Sequence, residues 1–281
     1  MVVKVVTDST CDLPPDILEA QGITMIPCYI NIEGESYRDA VDLSRDEFYA
    51  RLTKLKTPAT TSAPGTGTFV EVYNRLLDGG ADEILSIHIS AKLSNVVNVA
   101  RLAAEEIGRG KVRVLDAGQL TIGTGLQVWE AAKAATAGLS AAEILDQLED
   151  LRTRIHTVAA ADTLEYLKLS GRLSTFQALL GSLLRMKPLL AMHDDVIELE
   201  RTRTRQRALD WLMGRFRALG ALEQVVMVHT HAQDAIQALR AQVEALHPEL
   251  SSPMIVDVTP VLGAHLGPGV VGMTCVVANP E

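Results

Sequence analysis

The sequence predicts an α/β protein of two domains. Residues 1–155 form an N-terminal domain built on a parallel α/β/α sheet, and residues 156–281 form a C-terminal α+β domain with a mixed or antiparallel sheet. Three observations carry this reading. In the first half, a short β-branched run followed by a polar loop and a helical pattern recurs about four times. Such units pair their strands in parallel through right-handed crossovers and gather their loops at the strand C-terminal ends. In the second half, two apolar runs flank His193-Asp194-Asp195 as a hairpin, and helices and further strands follow. At 281 residues the chain is long for one core and comfortable for two.

The elements follow in order. Residues 2–7 are a buried first strand. Pro14 and Pro15 suit the first turn of a helix reaching Gln21. Residues 23–32 read as one or two strands, closed by a turn at Glu33-Gly34-Glu35. Ser44 with Glu47 is a capping box for a helix through Lys54. Residues 57–67 are rich in Thr, Ser, Pro and Gly and read as a loop before a helix ending at Leu77. Residues 83–89 are a strand, and Ser94 caps a helix to Ile107. Residues 112–116 are a strand, followed by helices through Ala137 and from Ser140 to Arg154. Beyond the boundary, residues 156–161 are a strand, 163–169 a short helix, and 176–184 an apolar helix. Residues 189–192 and 196–199 are the hairpin. A long helix covers 204–219, a second covers 232–246, and strands cover 225–229, 255–258 and 270–277.

Composition removes several function classes. Lys and Arg total 26 against 35 Asp and Glu, a formal net charge of −9. An acidic chain is repelled by phosphate backbones, so nucleic acid is not the expected partner. Cys11, Cys28 and Cys275 lack the spacing of a zinc cage or a disulfide framework, and read as reduced thiols of a cytoplasmic protein. The first residues carry no apolar signal-peptide core, and no run of ~18 apolar residues predicts a membrane span.

Several motifs have a plainer reading. Gly267-Pro-Gly269-Val-Val-Gly272 matches the dinucleotide fingerprint by letter, but a strand pattern follows it where a helix is required. Gly65-Thr-Gly67-Thr lacks the Lys of a P-loop, so the chain carries no ATP-binding motif of its own. Ser9, Ser62, Ser94 and His265 supply the parts of a serine hydrolase, without a nucleophile elbow or a clear acid. His229-Thr-His231 has Asp234 as its one close carboxylate, and reads as a strand end and a helix cap, so no metal is expected. Arg201, Arg203, Arg205 and Arg207 alternate through an acidic protein. They are either a solvated face or a docking patch for an acidic or phosphate-bearing partner. Leu179, Leu180, Leu183, Leu184, Met186, Leu189, Leu190 and Met192 crowd one stretch, as in a core or a flexible aliphatic tunnel.

Taken together, several segments resemble the DegV family. They are Thr7-Asp8-Ser9-Thr10-Cys11-Asp12-Leu13-Pro14, Thr60-Thr61-Ser62-Ala63-Pro64, Ser90-Ala91-Lys92-Leu93-Ser94-Asn95, Tyr166-Leu167-Lys168, Gly171-Arg172-Leu173-Ser174, Lys187-Pro188-Leu189-Leu190, and residues 261–269 around His265. Their order covers nearly the whole chain. The resemblance implies a two-domain α/β protein that binds one long-chain fatty acid. It further implies the fatty-acid-binding subunit of a bacterial fatty acid kinase, which presents the carboxylate to a separate ATP-binding subunit for acyl-phosphate formation. No cofactor beyond the bound fatty acid is implied, and the chain is expected to be a cytoplasmic monomer when free. Thr61 and Ser94 would hold the carboxylate, with Arg172 and His265 in the surrounding network. Thr61, Ser62 and Ser94 are placed at adjacent loop-to-helix junctions, where hydroxyls and free backbone N–H groups attract an anion. The chain departs from the family pattern at Ala63, Asn95-Val96 and Leu266. The alternatives are a lipid-binding transport or signalling protein without a kinase, and a serine hydrolase.

Overall fold

The computed structural model describes residues 1–108, 110–172, 186–250 and 252–279. The helix expected over 176–184, with Leu179, Leu180, Leu183 and Leu184, lies outside the described residues.

The first sheet is formed by β1 (Val3–Asp8), β2 (Thr24–Ile26), β6 (Glu83–His88) and β7 (Val112–Asp116) in the order β2-β1-β6-β7, with every pair parallel. This is the parallel sheet that the repeated strand–loop–helix pattern predicts. Helix α1 (Pro15–Ala20) begins at Pro15 as its first residue. Helices α2 (Arg45–Leu52) and α6 (Ala141–Arg154) each open on a complete capping box, Ser44 with Glu47 and Ser140 with Glu143. Helices α3 (Thr66–Asp78) and α4 (Val96–Ile107) pack on each other, and α5 (Ile122–Thr136) packs on β1.

Two local expectations are corrected. Residues 57–67 are not all loop. Thr60–Ser62 is strand β5, which joins β3 (Tyr29–Ile32) and β4 (Glu35–Arg38) in a separate antiparallel sheet of order β4-β3-β5, with Thr61 opposite Ile30. Its strand character comes from pairing with β3, a partner some thirty residues away, and three residues between two prolines carry no periodicity of their own. The cap of α4 is Asn95, not Ser94. The Ser94 hydroxyl sits one residue earlier and accepts only a long 3.4 Å bond from the Val96 N–H.

The second sheet has six strands in the order β10-β9-β8-β13-β11-β12. They are β8 (Ile155–Ala160), β9 (Lys187–His193), β10 (Val196–Thr202), β11 (Leu222–His229), β12 (Met254–Asp257) and β13 (Val271–Val277). All pairs are antiparallel except β11 with β12, so the sheet is mixed, as expected. The β9–β10 hairpin turns at Asp194-Asp195, both at positive φ (42° and 61°), as a two-residue turn of the primed kind requires. Among the described residues this half holds the helices α7 (Glu165–Leu169), α8 (Arg205–Ala218) and α9 (Gln233–Leu246). A fourth, α10 (Pro260–Leu266), occupies a stretch to which the sequence reading assigns no element.

Strand alternation builds two apolar layers. Val225 and Met227 of β11 pack with Leu212 and Phe216 of α8 and Leu239 of α9. Val226 and Val228, one residue out of phase, join the core shared with Ile30, Phe48 and Ile89. The six-stranded sheet is therefore covered by its own helices on one face and turns the other toward the N-terminal half.

Candidate functional site

Between that inner face and the C-terminal ends of the parallel strands lies a cavity of about 170 Å³. Aliphatic side chains make most of its wall, among them Ile89, Leu120, Leu190, Met192, Ile197, Val228, Val258, Leu262 and Val270. Three buried threonines also line it, but their hydroxyls are bonded into the framework. Thr10 donates to Asp8, Thr121 to Asp12, and Thr157 to Gln119. The remaining polar lining is partly exposed and so marks the mouth: Thr61, Ser62, Ser94, Asn95, Arg172 and His265. The structure thus brings together on one cavity all five ligand-binding residues expected from the sequence. It places Thr61 and Ser62 on β5 rather than at a loop-to-helix junction.

His265 is held by an elaborate support. Helix α10 starts at Thr259, whose backbone N–H donates 2.8 Å to the buried Asp12 carboxylate. It ends at Gly267, where φ is +75°, a region open to glycine without strain. Gly263 lets the helix approach Tyr49 of α2, since a Cβ there would sit 2.5 Å from the phenol oxygen. Tyr49 in turn donates its O–H to the Val258 carbonyl at 3.0 Å. At the far end of this helix the His265 Nε2 and the Thr61 Oγ1 share a 2.8 Å hydrogen bond. The other ring nitrogen, Nδ1, is buried without a partner among the described residues. Burial, and then the Arg172 charge, pull the imidazole down to about 4, so it is neutral at pH 7. The Arg172 guanidinium gives one N–H to the Ser170 carbonyl at 3.0 Å.

The serine-hydrolase parts do not assemble at this mouth. His265 is bonded to a threonine, and Ser9 is buried, accepting the Cys28 N–H at 3.1 Å. A Ser–His–Asp chain does exist elsewhere. Tyr73 donates to Ser86 (2.8 Å), Ser86 meets His88 Nε2 (2.7 Å), and His88 Nδ1 meets Asp8 (2.8 Å). Ser86 and His88 are two apart on β6 and share a face, which brings them to the end of β1. All four side chains are fully buried, so the chain braces the sheet and the turn at Thr10 without reaching solvent. Burial pushes the Asp8 carboxyl up, but bonds from His88 and Thr10 hold it below its ordinary value. No residue of this network was singled out from the sequence as a triad; the i, i+2 spacing of Ser86 and His88 was its one visible sign.

The arginine run crosses a strand end and a helix start rather than keeping one conformation. Arg201 lies on β10, and Arg203, beyond it, is exposed, as is Arg207 on α8. Arg205 is tied inward, to Asp162 at 3.0 Å and the Gly269 carbonyl at 2.9 Å.

A mixed α/β protein with a mainly aliphatic internal cavity and a cluster of polar groups at its partly exposed end has the shape of a binder of amphiphilic small molecules. The chain belongs to the DegV family, whose model, described as an uncharacterised protein family, matches residues 2–278. A DegV domain-containing protein of Deinococcus radiodurans is 37% identical over 278 residues, 97% of this chain and 98% of the relative. A solved DegV family protein from Thermus thermophilus, described by its fatty acid binding, superposes with a TM-score of 0.89 at 33% identity, over 99% of this chain and all of that one. A stearic acid-binding protein from Eubacterium ventriosum superposes with a TM-score of 0.82 at 25% identity, over 98% of each chain. No helix among the described residues is long and apolar enough to cross a membrane.

Proposed function

We propose that this protein binds one long-chain fatty acid, tail in the cavity and carboxylate at the mouth, and presents that carboxylate to a separate ATP-binding kinase subunit for conversion to an acyl phosphate. The observation that carries the reading is the partition of the cavity lining. Its buried hydroxyls are spent on the framework, while Thr61, Ser62, Ser94, Arg172 and His265 stand at the partly exposed end. The relatives described as fatty-acid binders support it.

Each part has a physical role. The aliphatic wall removes the tail from water, at roughly 25 cal/mol per Å² of apolar surface. Thr61 and Ser94 donate hydroxyl hydrogens to the carboxylate, and charged acceptors make such bonds stronger than neutral ones. Ser94 and Asn95 also stand at the N-terminus of α4, whose unsatisfied N–H groups favour an anion. Arg172 supplies the counter-charge, and His265 orients Thr61 through their shared bond. Residues 1–155 supply most of the carboxylate site and 156–281 most of the tail wall. The exposed guanidinia of Arg201, Arg203 and Arg207 form the docking face for the kinase subunit; Arg205 is held by Asp162.

Incubation with fatty acid and Mg-ATP tests the division of labour. Acyl phosphate should form only after a kinase subunit is added. Formation by this chain alone would overturn it, and fatty-acid binding without acyl phosphate under any kinase subunit would favour a carrier role.

A further inference from the structure

We propose that Asp46, His231 and Asp257 form a site for a divalent cation of the zinc class, tying α2 to the C-terminal ends of β11 and β12. The sequence shows His229-Thr-His231 with Asp234 as its close carboxylate, too little for a metal. The fold supplies what the sequence lacks. Strands β11 and β12 run parallel with His229 beside Asp257, and α2 brings Asp46 to the same corner.

One ligand atom from each of the three residues lies within 4.8 Å of the others, and His231 Nδ1 is 3.9 Å from Asp46 Oδ1. Tetrahedral zinc, with bonds of about 2.0–2.2 Å, spaces its ligands about 3.4 Å apart. The Asp46 side chain is 85% exposed and closes that gap by rotating. The other two ligands are already oriented. The His231 ring makes no hydrogen bond among the described residues and stacks on the buried Tyr49 ring at 5.7 Å and 16°. The His231 backbone N–H donates 3.1 Å to Asp257 Oδ1, which leaves the second carboxylate oxygen for a cation. The neighbouring His229 Nδ1 accepts the Ala232 N–H and lies 3.3 Å from the same Asp257 oxygen.

The electrostatics of the corner favour a cation. The Asp257 carboxylate stands at this corner, while Arg45, beside Asp46 in sequence, is directed inward instead, 3.9 Å from Asp12. Asp46 adds another carboxylate at the surface. One imidazole with two carboxylates suits zinc or a similar transition ion, whereas magnesium and calcium prefer oxygen alone. Three protein ligands leave a fourth position for water.

The test uses the full chain after chelator treatment and dialysis. Thermal shift and calorimetric titration with zinc chloride should show a raised Tm and one ion per chain, with magnesium and calcium at least about tenfold weaker. Asp46→Asn and His231→Gln should each weaken zinc binding by at least about tenfold, while the zinc-free Tm stays close to that of the parent. Asp46 is exposed, so its variant folds whatever becomes of the ion. Absence of zinc binding by the parent, or equal binding by both variants, would overturn the proposal.

Discussion

Thr61 and His265 lie 204 residues apart and share a 2.8 Å hydrogen bond that joins the small antiparallel sheet to α10 across the cavity mouth. The bond links the two halves of the chain at the carboxylate site proposed above. With the ring proton on Nε2, His265 donates to the Thr61 oxygen and leaves the Thr61 hydrogen for another acceptor, and such preorganisation lowers the cost of binding.

Replacing Thr61→Val together with Ser94→Ala should weaken fatty-acid binding by about one to several powers of ten. Each hydrogen bond to a charged group is worth roughly 1.5–3 kcal/mol, and water replaces part of the loss. Neither residue is buried, so the Tm should stay within a few degrees. Titration with a fluorescent fatty acid reads the effect. An unchanged Kd would remove these residues from the carboxylate site.

His265 should report ligand by its protonation. Its folded-state value, about 4, lies below the ordinary 6.5 because burial and Arg172 disfavour the imidazolium. Its contribution to the stability of the ligand-free protein is therefore complete above about pH 6.5 and lost as pH falls toward 4. His265→Gln should flatten that part of the acid limb; His156, also held near 4, and His229, also lowered by burial, continue to contribute. A carboxylate bound beside the ring favours its charged form, so NMR titration of the imidazole should show the value rising when fatty acid is added. A fixed or falling value would place the carboxylate elsewhere.

Asp39→Asn should stabilise the protein at alkaline pH. The carboxyl is fully buried, and burial raises it to about 7. The Ser9 and Thr259 hydroxyls and Arg45 draw it down, but neither oxygen completes a hydrogen bond among the described residues. A carboxyl raised above its unfolded 3.8 gives stability that is present below that value and lost as pH rises through 7. The amide keeps the shape without the charge. Its Tm should exceed the parent's by a few degrees at pH 8, with the gap closing toward pH 4. A lower Tm at pH 8 would show that the carboxylate is favourably compensated.

Much of this was legible in the residues. The β-branched runs placed β1, β6 and β7, Ser44 with Glu47 placed α2, and His193-Asp194-Asp195 placed the hairpin. Those signals are local, and local physics wrote them. Strand β5 and helix α10 were not legible, although they carry Thr61 and His265. The first exists because β3 pairs with it. The second is seven residues with a glycine inside, held by Asp12 at its start and Tyr49 at its side. The positions of Thr61, Ser94, Arg172 and His265 as site residues were reached through the family resemblance, since no spacing in the chain places them on one cavity. The corner formed by Asp46, His231 and Asp257 was invisible for the same reason, as its members come from three elements far apart in sequence.

Alanine at Arg201, Arg203 and Arg207 together should leave fatty-acid affinity unchanged and reduce acyl-phosphate formation with a kinase subunit. All three are exposed and none lines the cavity. The gap between parent and variant should narrow with rising salt, because the parent's exposed charges are then screened within about 10 Å at 0.1 M. Full coupled activity in the triple variant would return the run to a solvated face.

The central claim is that the cavity holds one fatty acid, and native mass spectrometry of the purified full chain tests it most directly. The account predicts a native mass above the denatured mass by one long-chain fatty acid per chain, with a Tm raised further by added oleate in any ligand-free fraction. Equal native and denatured masses, with no thermal shift on adding oleate or palmitate, would contradict it.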